Sequence, residues 1–179
     1  MNIRTILLAA GLAVMVFACS PEGKKQQMNK MKFDEKAGEQ ILYGAIDRAG
    51  FEKPGMKSWY QKAYANYKIN QEVLEAIDPA IARDVRIKIV LGTWCPDSRR
   101  EVPRFMKIVD YLNIPDKHIT MLGVDRGFVA PNFRKGQDGI TRVPTFVLTY
   151  NGEEIGRIIE RPKRSLENDL ANILKAAGK

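Results

Sequence analysis

The segment Gly92-Thr93-Trp94-Cys95-Pro96-Asp97-Ser98 decides how the rest of the chain reads. Before it, Arg86-Ile-Lys-Ile-Val-Leu91 is a short run rich in branched apolar side chains, which predicts a buried strand. After it, Val102, Phe105, Met106, Val109 and Leu112 recur at helical spacing, and Pro96 is a residue type favoured at the first position of a helix. Cys95 therefore stands where a strand ends and a helix begins. A sulfur in that place faces the positive end of the helix dipole and the unpaired amides of the first turn, both of which favour thiolate over thiol. Arg99 and Arg100 add to that effect if they curl back, and Asp97 opposes it. The plainer alternative for Cys95 is a small buried hydrophobe, the ordinary fate of a lone cysteine.

Toward the C-terminus, Ile119-Thr-Met-Leu-Gly-Val124 predicts a second strand. A polar loop with Gly127, Pro131, Gly136 and Gly139 follows, in which Arg126, Arg134, Lys135 and Asp138 either touch a substrate or form a solvated connection. Thr145-Phe-Val-Leu-Thr-Tyr150 predicts a third strand, joined by Asn151-Gly152 to a fourth over Glu153–Ile159; Asn-Gly between apolar runs is a strong tight-hairpin signal. An amphipathic helix with Leu166, Leu170, Ile173 and Leu174 closes the chain. The order is β-α-β, then a hairpin, then a helix. His118, the only histidine, is far in sequence from any candidate ligand and is assigned no role.

Toward the N-terminus, the stretch 34–84 reads as a helical extension. Ile41, Leu42, Ala45 and Ile46 suggest a first helix, ended by Gly50 and Pro54-Gly55. Trp59, Tyr60, Ala63, Tyr64 and Tyr67 form an aromatic stripe on a second helix, read as packing. Val73, Leu74 and Ile77 begin a third, ended near Asp78-Pro79.

Arg4 is the only charge before an apolar run from Ile6 to Ala18, which is too short for a stable bilayer-spanning helix and has the length of a signal-peptide core. Val16-Phe17-Ala18-Cys19-Ser20 resembles a bacterial lipobox. That resemblance implies cleavage after residue 18 and lipidation of Cys19, with the protein held at a membrane of the cell envelope, facing the periplasm or cell exterior. An ordinary secretory signal with a coincidental cysteine is the alternative. Residues 19–33 then form a lysine-rich tether suited to an anionic surface or simply to solvent.

Composition bounds the rest. The 179 residues carry a formal charge of +8, 45% hydrophobic side chains and two cysteines, which fits one ordinary domain with an appendage. Two cysteines cannot make a disulfide-stapled scaffold, and with one histidine they do not supply a usual four-ligand structural zinc site; no metal and no cofactor is expected. Nucleic acid is the usual partner of so basic a chain, but an exported protein would rarely meet it and no recognition motif is present.

Across residues 85–179 the sequence resembles the thioredoxin superfamily. The match rests on Trp94-Cys95-Pro96-Asp97-Ser98 at a strand-to-helix junction, Pro103 inside the following helix, Arg142-Val143-Pro144-Thr145 at the place of the family's cis-proline, and the Asn151-Gly152 hairpin with Gly156 and a terminal helix. The resemblance implies a three-layer α/β/α fold with a central mixed sheet, Cys95 as the catalytic thiol, Trp94, Pro96, Asp97 and Ser98 as its motif, and Val143 and Pro144 as the substrate groove. The helical stretch before residue 85 is similar to the N-terminal cap of some bacterial thioredoxin-like proteins.

Two departures limit what the resemblance implies. The family's second cysteine is replaced by Ser98, and the buried acid usually six residues before the first cysteine is replaced by Ile89. With Cys19 lipidated, one free thiol remains, so the chain cannot run a dithiol reductase cycle alone. A proline directly after the cysteine is similar to glutaredoxins, but no glutathione-binding motif is found. The implied function is monothiol thiol-disulfide exchange, of isomerase or mixed-disulfide type, on extracytoplasmic protein disulfides or with a redox partner; Ser98 would hydrogen-bond the sulfur. The alternative is a lipoprotein that keeps the fold as a non-catalytic binding scaffold.

Overall fold

The computed structural model describes residues 27–177. In chain order the elements are β1 (Lys30–Asp34), β2 (Glu39–Ile46), α1 (Lys57–Asn66), α2 (Gln71–Glu75), α3 (Pro79–Asp84), β3 (Arg86–Leu91), α4 (Pro96–Tyr111), β4 (Ile119–Gly123), β5 (Thr145–Tyr150), β6 (Glu153–Ile159) and α5 (Leu166–Ala177). Six strands form one sheet in the order β1-β2-β4-β3-β5-β6. Only β3 and β4 run parallel, with α4 as the long crossover that a parallel pair requires. The mixed sheet of a thioredoxin-like α/β fold is therefore present.

Alternation along the central strands divides the interior in two. Ile87, Ile89 and Leu91 of β3 and Phe146 and Leu148 of β5 point to one face, where buried residues from all five helices meet them. Phe105 of α4 stacks on Phe146 with ring centroids 4.4 Å apart. Val90 and Val147 point to the other face, where they meet Val124, Ala130, Phe133, Ile140 and Val143. That third layer is an irregular segment, 124–143, rather than a helix. The loop, for which the sequence leaves substrate contact and a solvated connection both open, is exposed along most of its length but anchored by buried Ala130 and Phe133.

The N-terminal part departs from the helical reading. Phe33 to Ile46 form an antiparallel hairpin, β1 with β2, and β2 joins the main sheet against β4. The sheet therefore starts at Lys30, and Lys30–Phe33, read as the end of a tether, are paired strand. Leu42, Gly44 and Ile46 are buried at period two, but the missing side chain at Gly44 hides that alternation, and neighbouring Ile41 is also buried, which imitates helical spacing. Asp34 makes the turn, its Oδ1 accepting the backbone N–H groups of Lys36 and Ala37.

The helical cap proper spans α1 to α3. Tyr60 on α1 stacks on Phe51 at 4.3 Å, as the packing reading expects. Asp78-Pro79 ends one short helix and also begins the next: Asp78 caps α3 by accepting from Ala80 N, with Pro79 in its first turn. Pro103 lies buried inside α4 and lacks the amide that would bond the Arg99 carbonyl. The expected Asn151-Gly152 turn joins β5 to β6, with φ of 51° and 86° at its two residues, as a two-residue hairpin of this hand requires.

Candidate functional site

Cys95 is the N-cap residue of α4 and Pro96 its first residue. The turn before it is closed by Cys95 N donating to Gly92 O at 2.8 Å, and the helix opens with Arg99 N donating to Cys95 O at 3.0 Å. The sulfur thus sits at the helix N-terminus and makes no capping hydrogen bond to the first-turn amides. The Val143-Pro144 peptide bond is cis, and the Cys95 thiol donates to the Val143 carbonyl oxygen at 3.3 Å. Cys95 keeps 9% of its surface exposed, and Pro96 beside it faces solvent. The structure therefore brings Cys95, Val143 and Pro144 together, although they are far apart in sequence.

The remaining motif residues have separate tasks. Ser98 is fully buried, and its Oγ accepts from Gly92 N at 3.2 Å, so the contact it makes is with the turn rather than the expected one with the sulfur. Ile89 is also fully buried, which leaves a branched alkyl group where the resemblance would place an acid. Trp94 donates from Nε1 to Val124 O at 2.8 Å, meets Phe128 edge-on at 6.0 Å, and carries the Arg126 guanidinium over its ring at 4.9 Å. Only glycine fits at position 92, because a Cβ there would lie 2.6 Å from the Trp94 ring.

The arginines after the cysteine do not converge on the sulfur. Arg99 donates to Thr93 O and pairs with Glu39. Arg100 pairs with Asp97 and Glu101, and Arg161 also reaches Asp97. Partial burial opposes ionisation of Asp97, but hydrogen bonds from Arg100 and Arg161 outweigh it and hold the carboxyl below its ordinary value. The charge of Asp97, expected to work against the thiolate, is thus shared with two cations.

Several participants fall outside the sequence motif. Buried Thr93 accepts the Leu42 N–H on its Oγ1 at 3.0 Å, tying β2 to the turn that carries the cysteine. Phe128 and Phe133 wall the site from the loop, and Trp59 and Tyr67 from the aromatic stripe border a groove beside Pro96. The apolar residues of the loop were the available signal. Among the described residues no cluster of three or more His, Cys, Asp or Glu side chains is placed to hold a metal ion. Cys19 lies outside the described residues.

A family model described as thioredoxin matches residues 52–171. The chain belongs to the thioredoxin family. The match begins within the segment leading to α1 and runs into α5. A protein of unknown function from Pseudomonas aeruginosa is similar at a TM-score of 0.48 and 17% identity, over 75% of this chain and 92% of that one. An HIV epitope-scaffold is similar at a TM-score of 0.47 and 17% identity, over 75% of this chain and 93% of its own. No curated protein matches. The thioredoxin-family domain supports thiol-disulfide exchange as a general chemistry for this chain.

Proposed function

We propose that the protein performs monothiol thiol-disulfide exchange through Cys95 on protein disulfides outside the cytoplasm, anchored by lipid on Cys19. The observation that carries this reading is the Cys95 sulfur at the α4 N-terminus, 3.3 Å from the Val143 carbonyl oxygen beside Pro144. The Cys95 thiolate attacks one sulfur of a substrate disulfide; the new Cys95–substrate S–S bond forms, the substrate's own S–S bond breaks, and its second sulfur leaves as thiolate. Because Ser98 stands where a second thiol would be, an outside thiol completes the cycle. Its thiolate attacks the substrate sulfur, Cys95 leaves as thiolate, and the electron pair ends on Cys95 while the outside thiol becomes disulfide-bonded to substrate. When the attacking thiol belongs to the same substrate, the result is isomerisation.

Anchoring rests on the lipobox resemblance alone; among the described residues no helix is long and apolar enough to cross a membrane. A binding scaffold is the second reading, favoured by the 9% exposure of Cys95 and by Ile89 in place of an acid. Cys95→Ala separates the two. Exchange predicts complete loss of partner adducts on non-reducing gels of the cell envelope, whereas a scaffold gives no adducts in either form and unchanged non-covalent association. Adducts that persist in Cys95→Ala would rule out exchange through this residue.

A further inference from the structure

A cationic groove runs from the cysteine turn along the seam between α1 and α4. Its volume is about 550 Å³, and its walls are two facing helical stripes: Trp59, Lys62, Ala63 and Asn66 on α1, and Pro96, Arg99, Arg100 and Arg104 on α4. Trp94 closes the end next to Cys95, whereas Val143 and Pro144 take no part in the lining. Two guanidinium groups are held against aromatic faces, Arg99 over Trp59 at 5.6 Å and Arg104 over Tyr67 at 5.3 Å. Stacking fixes the plane of each group: Arg99 donates its edge to Thr93 O and Glu39, whereas Arg104 has, among the described residues, only the long contact with Glu101 and can donate to a further carboxylate.

Carboxylates already present lie along this cationic row without cancelling it. Glu39 pairs with Arg99, Asp97 with Arg100, and Glu101 with both Arg100 and Arg104, the last at 3.6 Å. Glu101 is itself buried, and Asp97 is shared with Arg161 outside the groove. Exposed Lys62 makes no ion pair among the described residues. The four cations of the groove thus face three carboxylates, one of them divided with a fifth cation.

We infer that this groove selects substrates, binding an acidic extended segment next to the cysteine of the disulfide that Cys95 attacks. The inference rests on the exchange reading and adds a substrate class to it. From Pro96 to Arg104 the α4 stripe rises eight residue steps, about 12 Å at about 1.5 Å per residue. An extended peptide at about 3.3 Å per residue covers that length with roughly four residues. Charge complementarity places Asp or Glu in those four positions, and the same row repels a lysine-rich segment.

The test uses the full-length chain carrying Cys19→Ser, so that Cys95 is its only thiol. The probes are synthetic peptides whose single cysteine forms a disulfide with 2-thiopyridine, with acidic, neutral or lysine residues in the four flanking positions. Attack by Cys95 forms the Cys95–peptide disulfide and releases 2-thiopyridone, whose absorbance gives the rate. The acidic peptide should react at least tenfold faster than the lysine peptide at low salt, with the ratio falling as salt rises. Lys62→Glu with Arg104→Glu should abolish or reverse that order. Lys62→Glu alone, at an exposed site, should reduce the ratio and keeps the test valid if the double variant does not fold.

Arg83→Glu with Lys117→Glu changes net charge by the same amount at the opposite end of the sheet, before β3 and β4 begin, and should leave the ratio intact. Equal rates for acidic and lysine peptides, or the same loss of preference in Arg83→Glu/Lys117→Glu, overturn the groove. A preference unchanged in the groove variants while binding of phosphatidylglycerol vesicles is lost also overturns it, and marks the patch as a membrane surface. If no peptide reacts at all, the exchange reading itself fails.

Discussion

On one face of the sheet five helices close over Ile87, Ile89 and Phe146; on the other, segment 124–143 closes over Val90 and Val147 and carries Val143 to the Cys95 sulfur. The first face is filled by residues recurring at helical or strand period, and each deletion there leaves a hole between regular elements. The second is held by a few anchors spaced along irregular backbone, which can settle when one is removed. Stability therefore concentrates on the helical face. Positioning of the thiol concentrates on the loop face, where side chains from distant parts of the sequence are assembled.

The strongest attempt to break that division compares two phenylalanines, each almost wholly buried. Phe105→Ala should cost about 3–5 kcal/mol, because Phe105 is stacked between α4 and β5. Phe133→Ala should cost less, about 2 kcal/mol, because the loop can collapse into the space. Urea unfolding of both variants measures this, and equal losses would erase the distinction between the faces. A smaller effect tests the link from the N-terminal hairpin to the cysteine turn. Thr93→Val keeps the shape but leaves the buried Leu42 N–H without its acceptor, and the expected loss is about 1–3 kcal/mol. Full stability in Thr93→Val would mean that the hairpin holds the turn by packing alone.

The smallest effect belongs to the surface of the site. Asp97→Asn removes pairs with Arg100 and Arg161, both substantially exposed, so the loss at neutral pH should stay below about 1 kcal/mol. The Asp97 carboxyl is held below its ordinary value of 3.8, so its contribution is present above that pH and disappears as pH falls through the folded-state value. Unfolding midpoints of wild-type and variant should differ slightly at neutral pH and converge in strong acid. A gap that instead widens in acid would contradict the ion-pair account.

The helical face was open to sequence reasoning because its signals are local. Val102, Phe105, Met106 and Val109 announce α4, and Asn151-Gly152 announces the β5–β6 hairpin, without help from distant residues. The strand at Arg86–Leu91 and the cysteine turn were legible for the same reason. Period failed at Ile41–Ile46, where Gly44 contributes no side chain and Ile41 and Leu42 are both covered. On the loop face no period exists to detect, so Phe128 and Phe133 look like scattered apolar residues until the fold sets them around Trp94 and Val90. The aromatic stripe on α1 was legible as core but not as a groove wall, because its second neighbour, the Arg99–Arg104 stripe, comes from another helix.

The chain contains two tryptophans, and both border the groove beside Cys95. Trp94 donates its indole N–H to Val124, while the Trp59 indole nitrogen is buried without a hydrogen-bond partner among the described residues. All indole emission of the protein therefore originates at this one place, from two rings in different polarity and each beneath a guanidinium. The unlabelled molecule is its own optical probe: occupancy of the groove registers in its intrinsic fluorescence, with no background from tryptophan elsewhere.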